Sequence, residues 1–111
     1  MDKIEKYRQI IQSLLTKYSE ISGSSNDVES QVIFDTVRDR YQLVHVGWHN
    51  RRREYGCVLH LDIIAGKVWV QHNGTELEIG KELVGLGVAK EDIVLAFHSP
   101  YQRQFTDFAV G

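Results

Sequence analysis

Between Asp2 and Ile21 the apolar residues Ile4, Tyr7, Ile11, Leu14, Tyr18 and Ile21 recur at alternating spacings of three and four, which is one stripe of an α-helix. Ile10 and Leu15 widen that stripe. Asp2 is suited to cap the helix, Gly23 to end it, and the polar run Ser22 to Asp27 to form a loop. The spacing also fits a coiled-coil seam, but it lasts under three heptads, so a helix laid across a sheet is the expected arrangement.

After the loop the period changes to two. A first strand carries Val28, Val32, Ile33, Phe34 and Val37, and Arg38-Asp39-Arg40 makes a polar turn. Tyr41 to Trp48 reads as a second strand, with Leu43 and His45 on one side and Val44, Val46 and Trp48 on the other. His49 to Arg53 is the next turn and Tyr55 to Ile64 a third strand. Ala65-Gly66 has hairpin length, although alanine is a poor first residue for a primed turn, and Lys67 to His72 is a fourth strand. Short connections favour an antiparallel meander, because parallel neighbours need long crossovers.

Asn73-Gly74 breaks the sheet, and Thr75-Glu76-Leu77-Glu78 has the form of a capping box opening a helix that runs to about Leu86 and ends at Gly87. Ile93 to Phe97 is apolar but too short to classify by period. Ser99-Pro100 is a break, and Tyr101 to Gly111 reads as an irregular or short-helical segment docked on the domain. The expected fold is therefore α+β over residues 1–111: an N-terminal amphipathic helix, a four-stranded antiparallel meander and C-terminal helical segments.

Composition changes this picture little. The 111 residues are one domain's worth of chain, 42% hydrophobic and 25% charged, so a core needs neither metal nor disulfide. The single cysteine, Cys57, suits a reducing compartment, and no apolar run approaches a membrane span or signal peptide; the expected location is the cytoplasm. A net charge of −2 argues mildly against DNA as the main partner.

The candidate chemistry lies on the third and fourth strands. A two-residue turn at Ala65-Gly66 sets Asp62 opposite Trp69 and His60 opposite Gln71, while Leu59, Leu61, Ile63, Val68 and Val70 take the core face. An imidazole beside a carboxylate can do acid–base work, and a tryptophan among polar groups is an interface anchor. No nucleophile or metal can be placed beside the pair, so a protein-contact face of His60, Asp62, Trp69 and Gln71, rimmed by Tyr101 and Phe105, is the expected role. The five histidines lack metal-ligand spacing, and neither metal nor cofactor is expected. Arg51-Arg52-Arg53 is the densest cationic run and a weak candidate for phosphate contact, joined at most by Arg38, Arg40 and Arg103. Without interleaved aromatics or a recognition helix, direct DNA contact is not the expected role.

The stretches Tyr55 to Gln71 (YGCVLHLDIIAGKVWVQ), Gly74 to Tyr101 (GTELEIGKELVGLGVAKEDIVLAFHSPY) and Arg103 to Val110 (RQFTDFAV) resemble the XisI-like proteins, the fdxN element excision controlling factors of cyanobacteria. Departures are small: Ala89 stands where the pattern has Pro and Ala96 where it has Gly. The resemblance implies a non-enzymatic accessory protein in DNA rearrangement during heterocyst development, acting by contact with a large serine recombinase and an XisH-like companion. Self-association into a homo-oligomer is compatible with it. That companion's resemblance to restriction-type nucleases implies an alternative, an immunity- or antitoxin-like protein that restrains it. The family carries no catalytic residue onto this chain.

Overall fold

A helix with one apolar stripe and a sheet with one apolar face must close on each other, and in this chain they do. The structure, a computed structural model, describes residues 2–22 and 27–111. The elements are α1 (Lys3–Ser22), β1 (Val28–Asp35), β2 (Arg40–His49), β3 (Arg52–Ile64), β4 (Lys67–Asn73), α2 (Ile79–Leu86), a 3-10 turn (Lys90–Asp92), β5 (Ile93–Leu95) and α3 (Pro100–Arg103). Asp2 caps α1 by accepting a hydrogen bond from the Glu5 amide at 2.8 Å. The expected stop at Gly23 and most of the loop to Asp27 lie outside the described residues.

Tyr7, Ile11, Leu14 and Leu15 of α1 are buried in one cluster with Tyr41, Leu43, Leu59, Leu61, Ile63, Val68 and Val70. α1 and α2 serve the same side, since Ile79 and Leu83 of α2 join that cluster. The stripe stops short of its predicted end, because Ile21 is exposed. No helix among the described residues is long and apolar enough to cross a membrane.

The sheet has five strands in the order β1-β2-β3-β4-β5, and it is mixed rather than a four-stranded antiparallel meander. The first three pairings are antiparallel, but β5 runs parallel to β4 after a crossover through α2. Ile93, Val94 and Leu95 are all buried, so the strand is a continuous apolar run with no alternation.

Two bulges interrupt the ladders, and the second shifts the register expected between β3 and β4. Leu43 pairs with Leu59 but Val44 with Cys57, which leaves Val58 as an extra residue in β3. Asp62 pairs with Trp69 as expected, but His60 pairs with His72, so Gln71 is the extra residue in β4. The Ala65-Gly66 turn has positive φ at both positions, 52° and 80°, the primed geometry that alanine fits poorly. The capping box does not close: Thr75 Oγ accepts from the Leu77 amide and pairs with Asn73, and α2 begins only at Ile79. Gly87 ends α2 in the left-handed region, where its amide and that of Val88 bond back to Val84 and Leu83.

Two aspartates tie α1 to the rest of the chain. Asp39, in the β1–β2 turn, accepts from Arg8 at 2.8 and 3.2 Å and from the Tyr41 hydroxyl at 2.9 Å. Asp92 accepts from the Tyr7 hydroxyl at 2.6 Å and pairs with Lys3 at 3.1 Å. The Arg8 guanidinium holds the Asp39 carboxyl below the usual carboxylate range, and the Tyr7 hydroxyl, then Lys3, does the same for Asp92. A carboxyl depressed in the folded chain contributes stability above its unfolded value of about 4, and that contribution is lost as pH falls through the folded value. The melting temperature is therefore expected to hold between neutrality and about pH 5 and to fall below about pH 4. Asp39→Asn, which retains a residue suited to φ 57°, is expected to lower stability at neutral pH and flatten the acid limb. Parallel acid limbs in parent and variant would remove Asp39 from this account.

Candidate functional site

The face of the sheet turned away from α1 and α2 collects the polar side chains of β2, β3 and β4. Asp62, only 5% exposed, is its centre. Its Oδ1 accepts from His60 Nε2 at 2.9 Å and its Oδ2 from Gln71 Nε2 at 3.1 Å. Arg40, its cross-strand partner, lies 3.8 Å from Oδ1. Gln71 reaches the carboxylate from its bulged position, so the structure joins the predicted residues by a route different from direct His60–Gln71 pairing.

Gln42 completes the network, with its Nε2 3.5 Å from His60 Nδ1. With His60 donating through Nε2 to Asp62, Nδ1 is left as an acceptor directed at the Gln42 amide. Both ring nitrogens thus have a neighbour in the network, Asp62 at one and Gln42 at the other. The arrangement orients an imidazole and satisfies a buried carboxylate, with Arg40 the nearby cation. Sequence reasoning missed Arg40 and Gln42, although correct β2–β3 register would have placed both.

Trp69 is half-buried instead of standing open on this face. The Arg103 guanidinium lies 5.5 Å from its ring centroid while donating to the carbonyls of His98, Ala96 and Val110. Its indole N–H is buried without a hydrogen-bond partner. The C-terminal segment is fastened here a second time, where Ala109 bridges to Val94 and donates its amide to the Ile93 carbonyl. Tyr101 and Phe105 flank Arg103 in sequence and remain 71% and 72% exposed, in edge contact at 5.4 Å. They are the open aromatic surface of this region, whereas Trp69 is largely its floor.

The arginines separate. Arg38 pairs with Asp35, Arg40 with Asp62 and Arg103 with Trp69, so none joins Arg51, Arg52 and Arg53 at the opposite end of the β2–β3 hairpin. Arg51 alone is in the turn; Arg52 and Arg53 already belong to β3. Cys57 donates to the Leu59 carbonyl, and burial pushes its thiol up, away from a reactive thiolate. Among the described residues no group of three His, Cys, Asp or Glu side chains could hold a metal ion. A cleft of about 430 Å³ lies elsewhere, between α2, Leu95 and Phe108.

Comparison with known proteins agrees with this architecture. A XisI-like protein from Anabaena variabilis superposes with a TM-score of 0.91 at 44% identity, covering 99% of this chain and 100% of that one. The fdxN element excision controlling factor XisI of the same organism superposes with a TM-score of 0.86 at 37% identity, with the same coverage. No match is found among curated proteins. The family model described as XisI protein matches residues 1–110, and with relatives this similar over their full length the chain belongs to the XisI family.

Proposed function

We propose that this chain is a non-enzymatic controlling factor for site-specific excision of a DNA element and that it acts by binding protein. The observation that carries the reading is the whole-length likeness to the Anabaena excision controlling factor. The outer face supports a contact role: Tyr101 and Phe105 offer exposed aromatic area on a backbone fixed by Arg103. A large serine recombinase would supply the strand chemistry, and the XisH-like companion is the partner expected on the surface of His60, Asp62, Gln71, Trp69, Tyr101 and Phe105.

Co-expression of the tagged chain with the companion and with the recombinase, each alone, tests the contact. Phe105→Ala and Tyr101→Ala are expected to weaken capture by about tenfold each, the loss of an aromatic anchor, without lowering the melting temperature. Capture by the variants at parental strength would remove this surface from the proposal. Incubation of the purified chain with supercoiled element-bearing DNA and Mg²⁺ is expected to leave the DNA intact. Nicking abolished by Asp62→Ala would overturn the non-enzymatic reading.

A further inference from the structure

The distal half of the β2–β3 hairpin extends beyond the core. Buried positions stop at Val44 in β2 and resume at Leu59 in β3, and none of residues 45–58 between them is buried. This arm has regular cross-strand pairs: Val44 with Cys57, Val46 with Tyr55, and Trp48 with Arg53. Paired residues share a face, so Trp48, Val46, Tyr55 and Arg53 form one outward surface. Tyr55 is 74% exposed and Trp48 52%, and the Arg53 guanidinium stands 5.5 Å from the Trp48 ring centroid. Arg51 sits at the tip, while Arg52 projects on the reverse face beside Glu54 at 4.0 Å. Glu29 of β1, opposite Val46, is the acidic border of the surface.

Two aromatics therefore join the arginine run, Trp48 from across the hairpin and Tyr55 from the same strand two residues after Arg53. A single nucleic-acid strand is the polymer that offers an anion and a flat apolar ring at every repeat, and it complements this surface in both respects. We propose that the arm is a stacking platform for single-stranded nucleic acid, with bases against Tyr55 and the Trp48–Arg53 pair and phosphates met by Arg51 and Arg53. Tyr55 is diagonal to Trp48 across the ribbon, a separation of about 7–8 Å, so two bases can be held side by side. The surface is local on a chain of net charge −2, so binding belongs to low salt. This site lies at the opposite end of the hairpin from the protein-contact face and is tested on the purified chain alone, so the two proposals fail separately.

The probe is a fluorescein-labelled mixed-sequence single strand of about 20 nucleotides, followed by anisotropy at salt concentrations from about 50 to 200 mM, a range over which phosphate contacts are lost. Binding is expected to be competed at least about tenfold less well by the duplex of the same sequence, whose rings are stacked internally. Tyr55→Ala is expected to weaken binding about tenfold, within the range for loss of one stacked base. The double variant Arg51→Ala/Arg53→Ala is expected to reduce the salt slope by about 1.4, two phosphate contacts on a single strand. Glu29→Gln is expected to strengthen binding, and circular dichroism verifies that each variant is folded. No binding at the lowest salt, equal competition by duplex, or a Tyr55 variant that binds like the parent would each overturn the proposal. So would a Tyr55 variant that retains strand affinity while dissociating a dimer in light scattering, which would assign the arm to a second copy.

Discussion

Leu61→Ala is expected to lower the unfolding free energy by about 2–5 kcal/mol, the range for a fully buried large-to-small change that leaves a cavity. Leu61 is fully buried on the central strand β3, with Tyr41 and Val70 as register partners on either side. Ile11, Leu14 and Leu15 of α1 belong to the same cluster. These partners are themselves held in strands or a helix, so the site can collapse little around the lost atoms. A domain of this size has about 5–15 kcal/mol of net stability, so the loss is a large fraction of it. Denaturant titration should show a lower midpoint with an unchanged slope, and thermal melting a fall of several degrees per kcal/mol. Leu86→Ala, at an exposed position of α2, is the comparison and should stay close to the parent. A parental midpoint for the Leu61 variant would mean that the two faces of β3 are reversed.

That face is legible in the amino-acid pattern because Leu59, Leu61 and Ile63 alternate and Val68 and Val70 follow them across a two-residue turn. Periodicity reports a surface buried on one side, and β3, β4 and α1 each have one. It is silent for β5, where Ile93, Val94 and Leu95 are buried on both sides and too few to distinguish strand from helix. Bulges defeat it for a different reason. The extra residue at Gln71 is fixed by pairing with β3, and no local pattern near His60 or His72 announces it.

The outer face shows the same division. Asp62 and Trp69 are legible as cross-strand neighbours, but the cover over Trp69 depends on Arg103, some 34 positions along the chain, whose three carbonyl partners exist only after the C-terminal segment turns back. The arm is half legible. Alternation places Val46 and Trp48 together, but reading His49 to Arg53 as a turn keeps Arg53 off the strand and hides its pairing with Trp48. The observed turn is two residues, Asn50 and Arg51, with Asn50 at φ 58°, a conformation asparagine tolerates.

Gly47→Ala is expected to be the most damaging small substitution in the arm, for a reason confined to backbone packing. Gly47 pairs with Val28 at the start of β1, and the Trp48 amide donates to the Asp27 carbonyl at 2.9 Å. A Cβ at position 47 would lie 2.0 Å from the Asp27 oxygen and 2.7 Å from Val28 Cα, both backbone atoms that no rotamer change can remove. The first β1 pairs must then open, at a cost of about 1–3 kcal/mol or more, the range for a forced backbone shift. Gly56→Ala is the matched control, since nothing lies within 4 Å of its Cβ and its backbone is not left-handed. That change should be neutral or stabilising by up to about 1 kcal/mol, because alanine loses less entropy on folding. Urea midpoints measure the difference, and faster amide exchange at Val28 and Glu29 than at Phe34 in the Gly47 variant would locate it. Equal midpoints for the two variants would show that β1 yields at its N-terminal end without loss.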